Sequence, residues 1–183
     1  MNKVFIFLAN GFETVEALAP VDVMRRAGLD VVTVSITADR NVVSAQGVTV
    51  VADALLGSYD FSQASAFVLP GGGVGTDNLS ACEPLHAELK KAAGEGKLVA
   101  AICAAPMVLG RIGLLNGLKA TCYPGCEGAL FGATYTATAV EEAGNIITAC
   151  GPGASFAFGF AIVKRFCGEG VVNTLRSQMQ FDK

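Results

Sequence analysis

The sequence contains no tryptophan and a single histidine, His86. Chemistry that needs several imidazoles is therefore excluded. Charge is also scarce: charged residues make up 16% of the 183, and the net charge is −3. No basic footprint exists, which argues against nucleic acid as a partner. Long apolar runs are missing as well. The stretch from Val4 to Ala9 is too short for the apolar region of a secretory signal. Nothing approaches the roughly 18 apolar residues of a membrane span. The chain thus reads as cytoplasmic, with no membrane partner. Intrinsic disorder is excluded by the 52% hydrophobic content, and the length suits one domain over 1–183.

What the chain does have is six cysteines. That density is below a disulfide scaffold, so the expectation is free thiols in a reducing compartment. Zinc fits poorly: Cys122 and Cys126 have no second close pair and no histidine nearby. No metal is expected.

Hydrophobic patterning predicts alternating strands and helices. Val4–Leu8 is an apolar run suited to a strand buried on both faces. Glu13 to Ala27 has helical spacing, with Pro20 inside it, so a late start, a break or a kink is expected there. Val31–Ile36 reads as a strand, and Val42–Val43 with Val48–Val51 as a small hairpin around Gln46-Gly47. Further strands are expected at Ala66–Leu69, Leu98–Ile102 and Ile146–Ala149. Helices are expected at Glu83–Ala93, Ala104–Ile112, Ser155–Phe166 and Val171–Arg176. Such alternation predicts a parallel sheet with helices on both faces.

In an open parallel sheet, sites form at the carboxyl ends of strands. Three such ends carry notable residues: Asn10-Gly11-Phe12-Glu13, Gly71-Gly72-Gly73 and Cys103-Ala104-Ala105-Pro106. Cys103 falls on a strand-to-helix turn, the position of a nucleophile elbow. A helix N-terminus facing its sulfur would lower the thiol pKa, and Ala104 and Ala105 would leave it uncovered. Cys103 also suits a small hydrophobe in a core strand. The glycines also suit a plain tight turn, and they form no dinucleotide fingerprint.

The runs AICAAP (101–106), LPGGG (69–73), ETVEALAPVDVMRRAG (13–28) and GPGASFAFGFAIV (151–163) resemble the ThiJ/PfpI superfamily. Within it they resemble the branch typified by the parkinsonism-associated protein deglycase. The resemblance implies a flavodoxin-like three-layer α/β sandwich with a mostly parallel central sheet. It also implies a homodimer and no cofactor. The family's reactive cysteine matches Cys103. Its acidic partner, six residues before the aspartate of the P-V-D-V-M-R-R stretch, matches Glu16, with Glu13 as local competitor. Its oxyanion-type backbone donors match Gly72 and Ala104. Gly73, Tyr123 and Cys126 are further pocket candidates. One feature departs from the family. Where relatives carry a histidine beside the cysteine, this chain has Ala104, and where others carry it before a proline, it has Tyr123-Pro124. His86 lies on an amphipathic helix and reads as a surface residue. A Cys–His dyad is thus disfavoured, and with it the peptidase reading, which needs a proton donor for the leaving amine.

The resemblance implies a cysteine-dependent glyoxalase or deglycase acting on small reactive carbonyls such as methylglyoxal. The alternative is a redox-sensing or chaperone-like stress protein whose Cys103 is oxidised to sulfinate. Cys126 is a possible resolving thiol, while Cys82, Cys150 and Cys167 read as packing residues.

Overall fold

The computed structural model describes residues 2–181. Along the chain come β1 (Lys3–Leu8), α1 (Thr14–Arg26), β2 (Asp30–Ser35), β3 (Asn41–Val43), β4 (Thr49–Val51), β5 (Ala54–Leu55) and β6 (Ala64–Leu69). Next are α2 (Gly73–Ser80), α3 (Glu83–Gly94), β7 (Leu98–Ile102), α4 (Pro106–Arg111), β8 (Lys119–Ala120) and β9 (Thr134–Tyr135). The chain then forms β10 (Val140–Ala143), β11 (Ile146–Ala149), α5 (Ser155–Cys167) and α6 (Glu169–Gln178). The main sheet has seven strands in the order β10-β11-β7-β6-β1-β2-β5. All its pairings are parallel except β10 with β11. The fold is a flavodoxin-like three-layer α/β sandwich.

Alternation along the strands explains the layers. In β1, Val4, Ile6 and Leu8 pack with the apolar sides of α1, α5 and α6. Phe5 and Phe7 point the other way, toward residues from α2, α3 and α4. In β7, Leu98, Ala100 and Ile102 face the first layer, and Val99 and Ala101 the second. No residue of β7 is polar, because both faces of an inner strand are buried. Each buried large side chain contributes about 1.5–3 kcal/mol. Phe5, Phe7, Phe61 and Phe67 add ring contacts, including a stacked pair 5.6 Å apart between Phe7 and Phe67.

Two expectations change. α1 runs unbroken through Pro20 rather than starting late or breaking. The cost of an internal proline is offset by burial, since α1 packs against α5 along this stretch: a Cβ on Gly159 would lie 3.1 Å from Pro20 Cα and 3.3 Å from Val23 Cβ. The helix after Cys103 is also shorter than expected, beginning only at Pro106. α2, β5, β8, β9 and β10 carry little periodic apolar signal and were not expected from patterning.

The α1–α5 contact yields a test. Gly159→Val is expected to overpack this seam and to cost about 1–3 kcal/mol, read as a lowered midpoint in urea unfolding. An unchanged midpoint would show that the two helices have room to spare.

Candidate active site

The site forms where β1, β6 and β7 end. The Cys103 N–H still donates to Ala149 O, at 2.8 Å, as if the strand continued. Strand alternation would therefore send the Cys103 side chain toward α3, because Ile102 faces α1 and α5. A φ of 65° breaks that alternation and places Cys103 in the α1/α5 layer after all. A left-handed conformation at a non-glycine residue costs about 1–3 kcal/mol, and the packing around it must hold it. The following residue, Ala104, stays in the same layer, and Ala105 returns to the other.

Glu16 approaches from the first turn of α1 and is completely buried. Its Oε2 accepts a hydrogen bond from the Gly71 N–H, at 2.9 Å. Its Oε1 is buried with no hydrogen-bond partner of ordinary geometry. Gly71 is the residue that permits this approach. A Cβ there would lie 2.6 Å from Glu16 Oε2, 2.7 Å from Cys103 Cβ and 2.9 Å from Ile102 O. Gly72 has φ 90°, and a Cβ on it would run into Gly11 O. The loops after β1 and β6 are thus in backbone contact, tied by Glu13 N–H to Gly71 O at 3.0 Å.

Glu13 is settled as a cap. Its Oε2 accepts from the Glu16 N–H at 2.8 Å at the start of α1. Burial, assisted by the Glu13 charge, raises the Glu16 carboxyl to about 7, against opposing hydrogen bonds from Cys103 and the Gly71 N–H. The Cys103 thiol, only 8% exposed, is pushed up to about 12 by burial and then by the Glu16 charge and hydrogen bond. The Gly72 and Ala104 N–H groups pull it down. The expected lowering by a helix N-terminus is therefore corrected. α4 begins at Pro106, two residues later than expected, and burial beside a carboxylate outweighs the N–H groups that pull the thiol down.

These two groups titrate as a pair. One proton leaves at about 7 and the second is held to about 12. Between those values the pair carries one proton, either as thiol with carboxylate or as thiolate with carboxylic acid. The second form is nucleophilic. Its sulfur is met by the Gly72 and Ala104 N–H groups, and its carboxylic acid has a donor to offer.

Tyr123 and Cys126 lie on the loop over this site. The Tyr123 N–H donates to Cys103 O at 2.8 Å, and its ring lies 3.2 Å from the position of a Cβ on Gly151. Half of Tyr123 is exposed. Cys126 is half-buried, and Cys122 is completely buried. Gly73 opens α2, and a Cβ on it would meet nothing within 4 Å, so it shares none of the close approach seen at Gly71 and Gly72. Gly71 is the residue that sequence reasoning passed over; the run LPGGG held the signal but not which glycine abuts the acid. His86 sits on α3, half-buried rather than on the surface, with Nε2 3.1 Å from Leu79 O.

A buried acid beside an elbow cysteine, at the carboxyl end of a parallel sheet, defines a cysteine-centred α/β site. The DJ-1/PfpI family model matches residues 2–165, and the chain belongs to that family. It is similar to protein DJ-1 homolog B of Arabidopsis thaliana, 40% identical over 92% of the chain. The chain spans 39% of that relative's length. It is 31% identical over 88% of its length to a deglycase of Pyrococcus abyssi, 98% of which is covered. The crystal structure of a cysteine-to-alanine mutant of a DJ-1 superfamily protein from Salmonella typhimurium matches with TM-score 0.94 and 34% identity, over 98% of each chain.

The paired titration can be checked by limiting alkylation with iodoacetamide and peptide mapping. Cys103 is expected to react first; labelling led by Cys122 or Cys126 would count against it. The Cys103 rate is expected to rise as pH passes about 7 and then level off, as the singly protonated pair forms. In Glu16→Gln the thiol titrates alone, still raised by burial but without the Glu16 charge. With the Glu16 charge that raises the thiol gone, its alkylation at neutral pH should be no slower and should keep rising with pH where the wild type has levelled. Superimposable profiles would show that carboxyl and thiol share no proton.

Proposed function

We propose that the protein is a cofactor-independent, cysteine-dependent glyoxalase or deglycase acting on small reactive carbonyls such as methylglyoxal in the cytoplasm. The observation carrying this reading is the fully buried Glu16 carboxyl set beside Cys103 over Gly71. The Cys103 thiolate adds to the aldehyde carbon, and the N–H groups of Gly72 and Ala104 hold the alkoxide. The acid of Glu16 protonates that oxygen to give a hemithioacetal. Glu16, now a carboxylate, takes the proton from the former aldehyde carbon and returns it to the neighbouring one, while the hydroxyl proton on the former aldehyde carbon passes to the neighbouring carbonyl oxygen. The product is a thioester of a hydroxy acid, which water hydrolyses to lactate and free thiol. No amine leaving group is needed, so the missing histidine does not block this route as it does the peptidase one. The Pyrococcus relative named deglycase supports the reading.

A second reading is favoured by one specific feature. The unpartnered Oε1 of Glu16, when protonated, suits a hydrogen bond to an oxygen of a Cys103 sulfinate, as in a redox-sensing or chaperone-like stress protein. We also propose a homodimer. The family resemblance supports it, and Val15, Val43 and Val48 leave apolar surface exposed where α1 meets the β3–β4 hairpin, around the Thr14–Ser44 hydrogen bond.

Lactate formation from methylglyoxal, without added glutathione or metal, is the deciding assay. Wild type is expected to produce lactate. Cys103→Ser should abolish it, and Glu16→Gln should lower the rate by about 10²–10⁴-fold. Equal yields in all three, or none from reduced wild type, would favour the sensor. Light scattering at micromolar concentration is expected to give twice the chain mass, and a monomer mass would overturn the dimer.

A further inference from the structure

The β3–β4 hairpin forms a small sheet of its own, apart from the seven-stranded one. A lone two-stranded hairpin is marginal in water, so its place depends on what it binds. It binds the segment that carries Glu16. Asn10 Oδ1 accepts from the Val43 N–H at 2.9 Å. The Gly11 N–H donates to Val43 O, and the Ala45 N–H to Phe12 O, each at 2.8 Å. Thr14, the first residue of α1, donates its N–H to Gln46 Oε1 at 3.1 Å and its hydroxyl proton to the same oxygen at 2.7 Å. The Thr14 Oγ1 also lies 2.8 Å from Ser44 Oγ. The turn presenting Gln46 is itself closed, by Gly47 N–H to Ser44 O at 3.0 Å and Val48 N–H to Ser44 Oγ at 3.0 Å.

A helix start leaves its first four N–H groups without partners in the helix. In α1 three of them are met by other means. The Glu13 N–H donates to Gly71 O at 3.0 Å, the Thr14 N–H to Gln46, and the Glu16 N–H to the Glu13 carboxylate at 2.8 Å. Gln46 thus reaches from another element to hold the turn that bears Glu16, two residues beyond Thr14. On the far side of the same segment, Gly11 O accepts from the Gly75 N–H at 3.1 Å and abuts Gly72. Residues 10–16 are therefore clamped between the hairpin and the glycine loop, whose N–H groups meet Glu16 and the sulfur.

We propose that Gln46 is a positioning residue for the reaction: through Thr14 it fixes the turn of α1 that sets Glu16 against Cys103, with the β3–β4 hairpin as the strap that carries it. The inference rests on the reading of Glu16 as the acid–base group. A fixed turn keeps the carboxyl buried, and burial is the main cause of its rise to about 7. The titratable neighbours acting on it are Glu13 of its own helix and Cys103 at the end of β7. A looser turn admits water to the carboxyl and lowers its hold on the proton. It also takes the acid out of line with the reacting atoms.

Gln46→Met tests this, because it keeps the side-chain length at an exposed position and removes the acceptor. The pH at which Cys103 alkylation rises is expected to move down from about 7. In the lactate assay kcat is expected to fall about 10- to 100-fold with KM unchanged. Gln46→Glu restores an acceptor oxygen and adds a charge near Glu16, so kcat should recover and the alkylation rise should sit at or above the wild-type pH. Alkylation is read without substrate, which separates this inference from the carbonyl reading. A downward shift in Gln46→Met, with no lactate from wild type, would uphold the positioning and remove the carbonyl reading. An unmoved profile in Gln46→Met, with lactate made at the wild-type rate, would overturn the positioning and leave the carbonyl reading standing. Equal losses of kcat in Gln46→Met and Gln46→Glu would also overturn it, since the loss would then owe nothing to the acceptor oxygen.

Discussion

One buried carboxyl set against one buried thiol governs the rest of the site. Neither group is at ease alone. Burial raises both, and the Glu16 charge raises the thiol further, while the hydrogen bond from Cys103 pulls the carboxyl back down. The arrangement is sustained by sharing one proton and by backbone N–H groups that meet whichever atom bears the charge. Those donors come from Gly71, Gly72 and Ala104. The two glycines depend on backbone approaching closer than a side chain allows. The glycines after β6, the left-handed Cys103 and the cap of α1 by Glu13 are therefore parts of one device.

The sheet makes this device possible by leaving three chain ends side by side. β6 lies between β1 and β7, so their carboxyl ends bring α1, the glycine loop and the elbow together. The elbow decides which face receives the thiol. Without the positive φ, Cys103 would fall into the layer of α3, with the sheet between it and Glu16. A local strain of about 1–3 kcal/mol moves one side chain across the sheet, and inner-strand burial on both faces supplies the rigidity that holds it there.

Much of this was legible in the chain. Apolar runs marked β1, β7 and β11 because strands buried on both faces hold few polar residues. The resemblance to the family, placed by the spacing from Glu16 to Pro20 and Asp22, pointed to the acid. Other parts were not legible, for physical reasons. β5, β8 and β9 are two residues each, too short for any period. α2 opens on glycine and carries few apolar residues, so a loop reading is natural. Pro20 misled because packing against Gly159 outweighs a local preference. The thiol pKa misled because it depends on burial and on a neighbour far away in sequence, neither of which periodicity records.

The same constraint sets the balance between carbonyl and redox chemistry. Both need the tautomer with a thiolate and a protonated Glu16, and both use that proton on the oxygen that the sulfur chemistry generates. They differ in the fate of the sulfur. Addition to an aldehyde leaves it bonded to carbon, and water can return it without any other thiol. Oxidation leaves a sulfenic sulfur that must be reduced or oxidised further. The Pro-Gly turn after Cys122 is tied to the Cys103 carbonyl through the Tyr123 N–H, so the conformation of that loop acts directly on the backbone that positions the nucleophile.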